Sequence, residues 1–182
     1  MERKFKINKE ILYKMNQIIL NSTEQDICRI LAKARYDNAR ERGRVDLKIG
    51  KQSNVETDLE GIGGEVAFCK AFNLFPPLMV GELDKDDCVL HSGTKVDIKT
   101  TKYRTGHLLA NNTKKVGDVD IYALVVGEFP VYSIGGYATS KQLISEEAME
   151  YHRNCSLFNG VGYALPQKDL LRFPDSFYSY GV

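Results

Sequence analysis

The chain of 182 residues lacks an excess of charge of either sign, because 25 lysines and arginines are balanced by 24 aspartates and glutamates. A net charge of +1 excludes a uniformly basic nucleic-acid-binding protein, so contact with a polyanion requires local segregation of charge. No apolar run approaches the roughly 18 residues of a membrane span, and no signal-type apolar segment follows the N-terminus. We therefore expect a soluble, intracellular globular protein.

Several chemical signatures are also absent from the sequence. The four cysteines form no C-x-x-C pair, which excludes the usual zinc ribbons and fingers and indicates reduced thiols in a cytosol. The three histidines lie in no H-E-x-x-H motif, and there is no Walker lysine loop and no G-x-S-x-G elbow. The segment Gly61-Ile62-Gly63-Gly64 has no strand before it, so it is a weak candidate for binding phosphate.

Hydrophobic periodicity predicts helices first, then a group of strands, then another helix. Helices are predicted over 8–21, 23–43, 56–73 and 140–151, and strands over 88–90, 95–101, 107–110, 119–126, 131–137 and 162–165. The second helix is expected to bury Ile27, Ile30, Leu31 and Ala34. This order predicts an α/β fold, with α+β as the alternative, in which helices flank one central sheet.

Two further expectations concern the organisation of this fold. The apolar run 119–126 is predicted to be central in a mixed sheet of four or five strands. Residues 1–52 are predicted to form a basic N-terminal helical extension, and residues 53–182 the core domain.

Asp97 and Lys99 are candidates for chemistry because of their positions in the predicted strand 95–101. Alternation along a strand places these two side chains on one face and Val96 and Ile98 on the other. The apolar pair can then pack into the core, while an acid and an ammonium emerge side by side.

Two more carboxylates can lie near this strand. Asp87 precedes the neighbouring strand of a predicted hairpin and can stand close to Asp97, although Asp86 competes for the same role. Glu65 falls inside the apolar arc of the third predicted helix. A glutamate there needs a cation, a proton or a hydrogen bond, the alternative being a snorkelling glutamate at the edge of the core.

Three converging carboxylates beside a lysine suit a hard divalent cation. Mg²⁺ prefers oxygen ligands and is commonly held by one or two carboxylates together with a substrate phosphate. Such an ion activates water and polarises a phosphodiester. The adjacent ammonium can position or help to deprotonate the attacking water and offset charge on phosphorus.

These segments resemble the PD-(D/E)xK, or restriction-endonuclease-like, phosphodiesterase superfamily, and in particular its small phage-type or bacterial nucleases. The segments that carry the resemblance are Gly61–Phe68, Asp87 and Val96–Thr101, followed by 120–126 and 134–138, which look like the later core strands of that family. The resemblance covers residues 56–145 and leaves the N-terminal helices unexplained.

The resemblance implies a restriction-endonuclease-like core, with Glu65, Asp87 and Asp97 as metal ligands and Lys99 as the residue that assists the nucleophile. It implies Mg²⁺, or Mn²⁺, as the cofactor. The chain departs from the family pattern in one respect, since no proline precedes Asp87.

A rival placement of the acid–lysine pair uses Asp46 and Lys48. The surrounding segment 44–49 is also strand-like. It lacks a helical glutamate upstream and a hairpin partner, so the placement at Asp97 and Lys99 is favoured.

Two segments carry local positive charge. Residues 28–51 contain eight basic and three acidic side chains, and residues 95–115 contain six and one. We interpret both segments as contacts for nucleic-acid phosphates, a solvated lysine-rich surface being the alternative. The candidate contacts are Arg40, Arg44, Lys102, Arg104, Lys114 and Lys115.

The favoured hypothesis is a divalent-metal-dependent nuclease that hydrolyses DNA, because the four-residue constellation is intact. RNA as substrate, endo- against exonuclease action and a homodimer are left open, and no membrane partner is expected. The location would be the cytoplasm of a bacterium or a phage-infected cell. The alternative is a catalytically inactive nuclease-fold protein that binds nucleic acid or protein, for instance a phage factor acting on a host partner.

Overall fold

The computed structural model describes residues 17–41, 54–76, 78–80 and 86–174. Within these residues the chain forms four α-helices, seven strands and one 3₁₀ helix, Gln167–Asp169. The helices are α1 (Ser22–Glu41), α2 (Asn54–Ala71), α3 (Ser140–Leu143) and α4 (Glu146–Asn154). The strands are β1 (Ile18–Ile19), β2 (Cys88–Val89), β3 (Lys95–Thr101), β4 (His107–Asn111), β5 (Ile121–Glu128), β6 (Val131–Thr139) and β7 (Gly162–Pro166).

Five of these strands form one mixed sheet in the order β1-β6-β5-β3-β2. Strands β3 and β5 are parallel, and the other neighbours are antiparallel. The first six residues of β5 are buried, which confirms the prediction that this apolar segment is central. The predicted α/β fold with a mixed, helix-flanked sheet is therefore confirmed. Strand β4 instead pairs with β7 in a separate two-stranded sheet.

Helices α1 and α2 cover one face of the sheet and form the main core with it. Helix α2 lies close to the sheet because two of its residues are glycines. A Cβ atom at Gly64 would overlap the Thr100 hydroxyl on β3, and one at Gly63 would overlap the Tyr132 hydroxyl on β6. The glycine-rich segment is thus helical and serves helix–sheet packing.

The N-terminal segment differs from the sequence prediction in two ways. Ile18–Ile19 pairs with Tyr132 and Val131 of β6 as a strand, so the predicted helix does not run to residue 21, and its residues 8–16 lie outside the described residues. In α1, Ile27 and Ile30 are 37% and 68% exposed, although both were expected to be buried. Leu31 is buried as predicted and shares the buried face with Cys28 and Ala32, because this is the side that packs on α2. Ala34 is only half-buried.

The predicted helix 140–151 is interrupted. Thr139 caps the N-terminus of α3, and the Ser145 hydroxyl accepts a hydrogen bond from the Ala148 N–H at 3.2 Å and begins α4. A serine that caps a new N-terminus ends the preceding helix, which periodicity alone does not register.

The proposed boundary at residue 52 falls among residues outside the described ranges and stays a prediction. The described part before it contributes β1 to the sheet and Leu20, Cys28 and Leu31 to the main core. Within the described ranges, no helix is both long enough and apolar enough to cross a membrane.

Candidate metal and phosphodiester site

Strand β3 delivers Asp97 and Lys99 to one face of the sheet. Val96 and Ile98 are buried in the main core against α1 and α2, so the predicted alternation is confirmed. On the other face, Asp97 is only 2% exposed, and the Lys99 ammonium contacts its Oδ1 atom as an ion pair. The strand therefore presents a buried acid and a cation side by side.

Asp87 lies beside β3, directly before the short strand β2 begins. Its backbone N–H donates to the Val96 carbonyl at 2.8 Å, and its Oδ2 accepts the Ile98 N–H at 2.6 Å. Burial raises the pKa of Asp87 to about 7, and the negative charges of Glu65 and Asp97 add to the increase. Both of these carboxylates consequently lie close enough to Asp87 to repel it, while Lys99 and the bond from Ile98 act in the opposite direction.

Asp86, the competing candidate, points elsewhere. Its carboxylate forms an ion pair with Lys95 at 3.5 Å. The electrostatic contacts with Glu65, Asp97 and Lys99 belong to Asp87. This geometry favours Asp87 as the acid of the site.

Glu65 is 9% exposed, as predicted, and a bidentate contact with Arg35 compensates its charge. The two guanidinium nitrogens of Arg35 donate to the two Glu65 oxygens at 3.0 and 2.9 Å. Burial opposes the charge on Arg35, but the hydrogen bonds and charge of Glu65, with Asp87 and Asp58 further away, raise the pKa of the guanidinium overall. Helix α1 is thereby tied to the site.

Lys114 lies in the site rather than on an exposed loop. Its ammonium is 2.5 Å from the Asp97 Oδ2 atom, and its side chain is 22% exposed. Asp97 is therefore contacted by two lysines, one on each oxygen. The prediction that Lys114 binds nucleic acid stays a prediction.

Two buried polar atoms on this face have no hydrogen-bond partner. One is Asp97 Oδ1, whose contact with Lys99 is an ion pair without hydrogen-bond geometry, and the other is the hydroxyl of Tyr122 on β5. Tyr122 is the β5 partner of Asp97 in the parallel register. Burial raises the pKa of the Tyr122 hydroxyl, and the charge of Asp97 adds to the increase.

An oxygen such as Asp97 Oδ1 is a suitable ligand for a hard cation. In the part of the chain that the structure describes, no three acidic, histidine or cysteine side chains are grouped closely enough to hold a metal by themselves. Asp87 and Asp97 fit the pattern in which one or two carboxylates and a substrate phosphate share the ion. Both oxygens of Glu65 are already bonded to Arg35, so its role as a ligand stays a prediction.

The other predicted phosphate contacts are distributed over the surface. Arg40 is exposed and stacks on the Tyr36 ring at 4.6 Å, and Lys102 lies 5.9 Å from the centre of the Tyr103 ring. Lys115 and Arg104 are exposed. Arg44 and the rival pair Asp46 and Lys48 lie outside the described residues.

Sequence reasoning missed Arg35 and Tyr122 as members of the site. Arg35 follows Cys28, Leu31 and Ala32 by seven, four and three residues, which is the spacing of one helix face. That spacing was a usable signal once the buried face of α1 was correctly assigned. Tyr122 gave no such signal, because a tyrosine in an apolar strand is ordinary core composition.

Comparison with known proteins gives no match for this chain: no protein-family profile, no curated protein and no solved structure is significantly similar to it.

Proposed function

We propose that this protein is a divalent-metal-dependent nuclease with a restriction-endonuclease-like core, acting on DNA. The observation that carries the proposal is the convergence of two carboxylates on Asp87, with Lys99 on the acid of the same strand. Repulsion among buried acids is unfavourable in the metal-free protein, and a divalent cation would turn it into attraction. Such an arrangement is typical of sites that handle phosphate esters through a metal.

Asp87 and Asp97 are the residues that would hold the ion. Asp97 offers Oδ1, which accepts no hydrogen bond and is contacted by the Lys99 ammonium, and Asp87 offers a carboxylate that is held in place by the Ile98 N–H. When bound, Mg²⁺ or Mn²⁺ supplies Lewis-acid stabilisation of the phosphoryl oxygens and lowers the pKa of water.

The remaining residues hold and neutralise charge. Lys99 stands beside Asp97, where its ammonium can donate to a non-bridging phosphate oxygen as negative charge develops there. Arg35 holds the Glu65 carboxylate in place through its bidentate contact. Hydrolysis forms a bond from water oxygen to phosphorus and breaks one ester bond, and the departing oxygen takes up a proton.

The test is a plasmid-nicking assay with purified protein in Mg²⁺ or Mn²⁺ and in EDTA. We expect metal-dependent conversion of supercoiled plasmid, which is lost in Asp97→Asn. The matched control is Lys95→Ala, which removes a lysine from the same strand as Asp97. Lys95 forms its ion pair with Asp86, which lies outside the site. A protein that stays folded and cuts neither plasmid nor single-stranded DNA with either ion contradicts the proposal.

The second candidate function is a binding module without catalysis. One observation favours it: Arg35 and Lys114 already neutralise Glu65 and Asp97 without a metal. A site balanced in this way can be a purely structural polar core. Binding of DNA in EDTA, with affinity that falls as salt rises and no cleavage in any divalent ion, would support this second function.

A further inference from the structure

Lys114 is the second cation on Asp97, and it comes from a different element than Lys99. It belongs to the turn between β4 and β5, whereas Lys99 belongs to β3 itself. The turn is held by hydrogen bonds from the Lys115 N–H to Asp118 Oδ2 at 2.9 Å and from the Gly117 N–H to Ser140 Oγ at 3.1 Å. These bonds fix the backbone of the turn and leave the Lys114 side chain to reach Asp97.

The carboxylates of the site lie beside cationic side chains even without a metal. The three carboxylates Glu65, Asp87 and Asp97 are accompanied by three cations, Arg35, Lys99 and Lys114. A divalent ion that enters beside Asp97 therefore meets two ammonium groups at contact distance. Since like charges in contact repel strongly where water is excluded, one ammonium has to move.

Lys114 differs from Lys99 in its backbone setting rather than in greater exposure, since its side chain is 22% exposed and that of Lys99 is 34% exposed. Lys99 emerges from the middle of a strand that is paired with β5 along its whole length. Lys114 is in a turn, and the next residue, Lys115, is already exposed to solvent. A rotation of the long Lys114 side chain can carry its ammonium from Asp97 to the surface without any change in the sheet.

We propose that Lys114 is a displaceable counterion, which holds Asp97 through Oδ2 in the metal-free protein and competes with the divalent ion for this carboxylate. The inference rests on the proposed function, because it requires metal binding at Asp97. It adds a regulatory consequence. The metal affinity is set by a lysine outside the acid–lysine motif.

The first experiment uses the unmodified protein and Mn²⁺ alone, without DNA. The protein is acetylated briefly with an N-hydroxysuccinimide ester at rising Mn²⁺ concentration, and the modification of each lysine is measured by fragment-ion mass spectrometry. We expect the acetylation rate of Lys114 to rise several-fold as Mn²⁺ binds. The rate at Lys115 is the internal control and should not change.

The second experiment measures Mn²⁺ affinity directly, by the loss of the free-ion paramagnetic resonance signal. Lys114→Met should bind Mn²⁺ about tenfold more tightly than the unmodified protein, since one competing charge is removed. Lys114→Arg keeps the charge and should stay close to the unmodified protein. Lys115→Met is the matched control for a charge lost from the same turn.

The outcomes separate this inference from the proposed function. One outcome is that Mn²⁺ binds without raising the acetylation rate of Lys114 and without binding more tightly to Lys114→Met. In that case the counterion inference is wrong, and the nuclease proposal is unaffected. If no form binds Mn²⁺ at millimolar concentration, both fail together. If Lys114→Met does not fold, the acetylation experiment decides alone.

Discussion

Different interactions stabilise the two faces of strand β3. On the face toward α2, Val96 and Ile98 are buried in the core, and Thr100 packs against a glycine. On the opposite face, Asp97 is just as deeply buried but is surrounded by ammonium groups, and one of its oxygens lacks a hydrogen bond. The face toward α2 is therefore stabilised by close packing, whereas the opposite face depends on ion pairs.

This difference separates the support of the site from its chemistry. Packing against glycine tolerates no added atom and transmits any displacement, because protein interiors are close-packed. A buried acid, in contrast, can exchange one cationic partner for another. We therefore expect changes on the helix face to act on stability and changes on the polar face to act on ion binding and cleavage.

The largest effects are expected on the polar face and in activity. Lys99→Ala should lower the single-turnover rate of DNA cleavage by about 10² or more, the scale expected for loss of one contact to developing charge. Asp97→Asn should abolish cleavage and leave DNA binding intact or tighter, because it removes a negative charge near phosphate. Rapid-quench rates and filter binding test both variants. A Lys99→Ala protein that cleaves at the original rate would place the site elsewhere, with Asp46 and Lys48 next to be examined.

The contact that joins α1 to the site should have the largest effect on stability. Arg35→Met leaves Glu65 buried without its partner, and we expect the free energy of unfolding to fall by about 2 to 3 kcal/mol. Adding Glu65→Met should recover most of this loss, since the unpaired charge is then gone. Urea unfolding at constant m-value measures both.

The matched control for this pair is Lys33→Met on the same helix. Lys33 pairs with Asp37 in a contact that is largely exposed on both sides, so its loss should leave the free energy of unfolding unchanged. Equal losses for Arg35→Met and Lys33→Met would contradict the assignment of a buried, structurally important pair.

A glycine pair tests the helix face. Gly64→Ala should lower the free energy of unfolding by about 2 kcal/mol, because its Cβ overlaps Thr100 and α2 has to move away from the sheet. Gly61→Ala, in the same helix, meets no atom within 4 Å. It should raise stability by about 0.5 to 1 kcal/mol through helix propensity. Equal changes in the free energy of unfolding for Gly64→Ala and Gly61→Ala would contradict the packing of α2 on β3.

The last expected effect is a pH dependence of the free energy of unfolding that is due to Asp87. Its pKa is about 7 in the folded protein against 3.8 for an ordinary aspartate, so between these values the folded state holds a proton that the unfolded state has lost. Stability therefore falls as pH rises through this range, by up to about 1.4 kcal/mol per pH unit. Asp87→Asn should remove this contribution, and saturating Mg²⁺ should reduce it. The measurement is urea unfolding at pH 5 and pH 6. If the stability of Asp87→Asn changes with pH as much as that of the unmodified protein, Asp87 is not buried beside Glu65 and Asp97 as described.

Much of the sheet was predictable because its strands satisfy local rules. The bounds of β3 agree with the prediction, since alternation and the preceding turn both specify them, and the apolar run of β5 specified a central position. The failures lie where local pattern and tertiary context disagree. In α1 the sequence offers two apolar faces, and only packing against α2 decides that Cys28 rather than Ile30 is buried.

The candidate site was predictable in its acids and not in its counterions. Asp97 and Lys99 share a strand, and Glu65 stands out as an acid in an apolar arc. Arg35 and Lys114 reach these acids across 30 and 17 residues of chain. Contacts over such separations follow from topology, which composition and spacing do not contain.

The pairing of β1 with β6 has a consequence for synthesis on the ribosome. Ile19 is translated 112 residues before its partner Val131. At about 5 to 20 residues per second, the N-terminal strand waits roughly 6 to 20 seconds before the strand that completes its ladder exists. Until then only β2, β3 and β5 of the described sheet can pair with one another. Nascent chains shorter than about 130 residues should therefore carry Ile18 and Ile19 unpaired and be preferred substrates for chaperones.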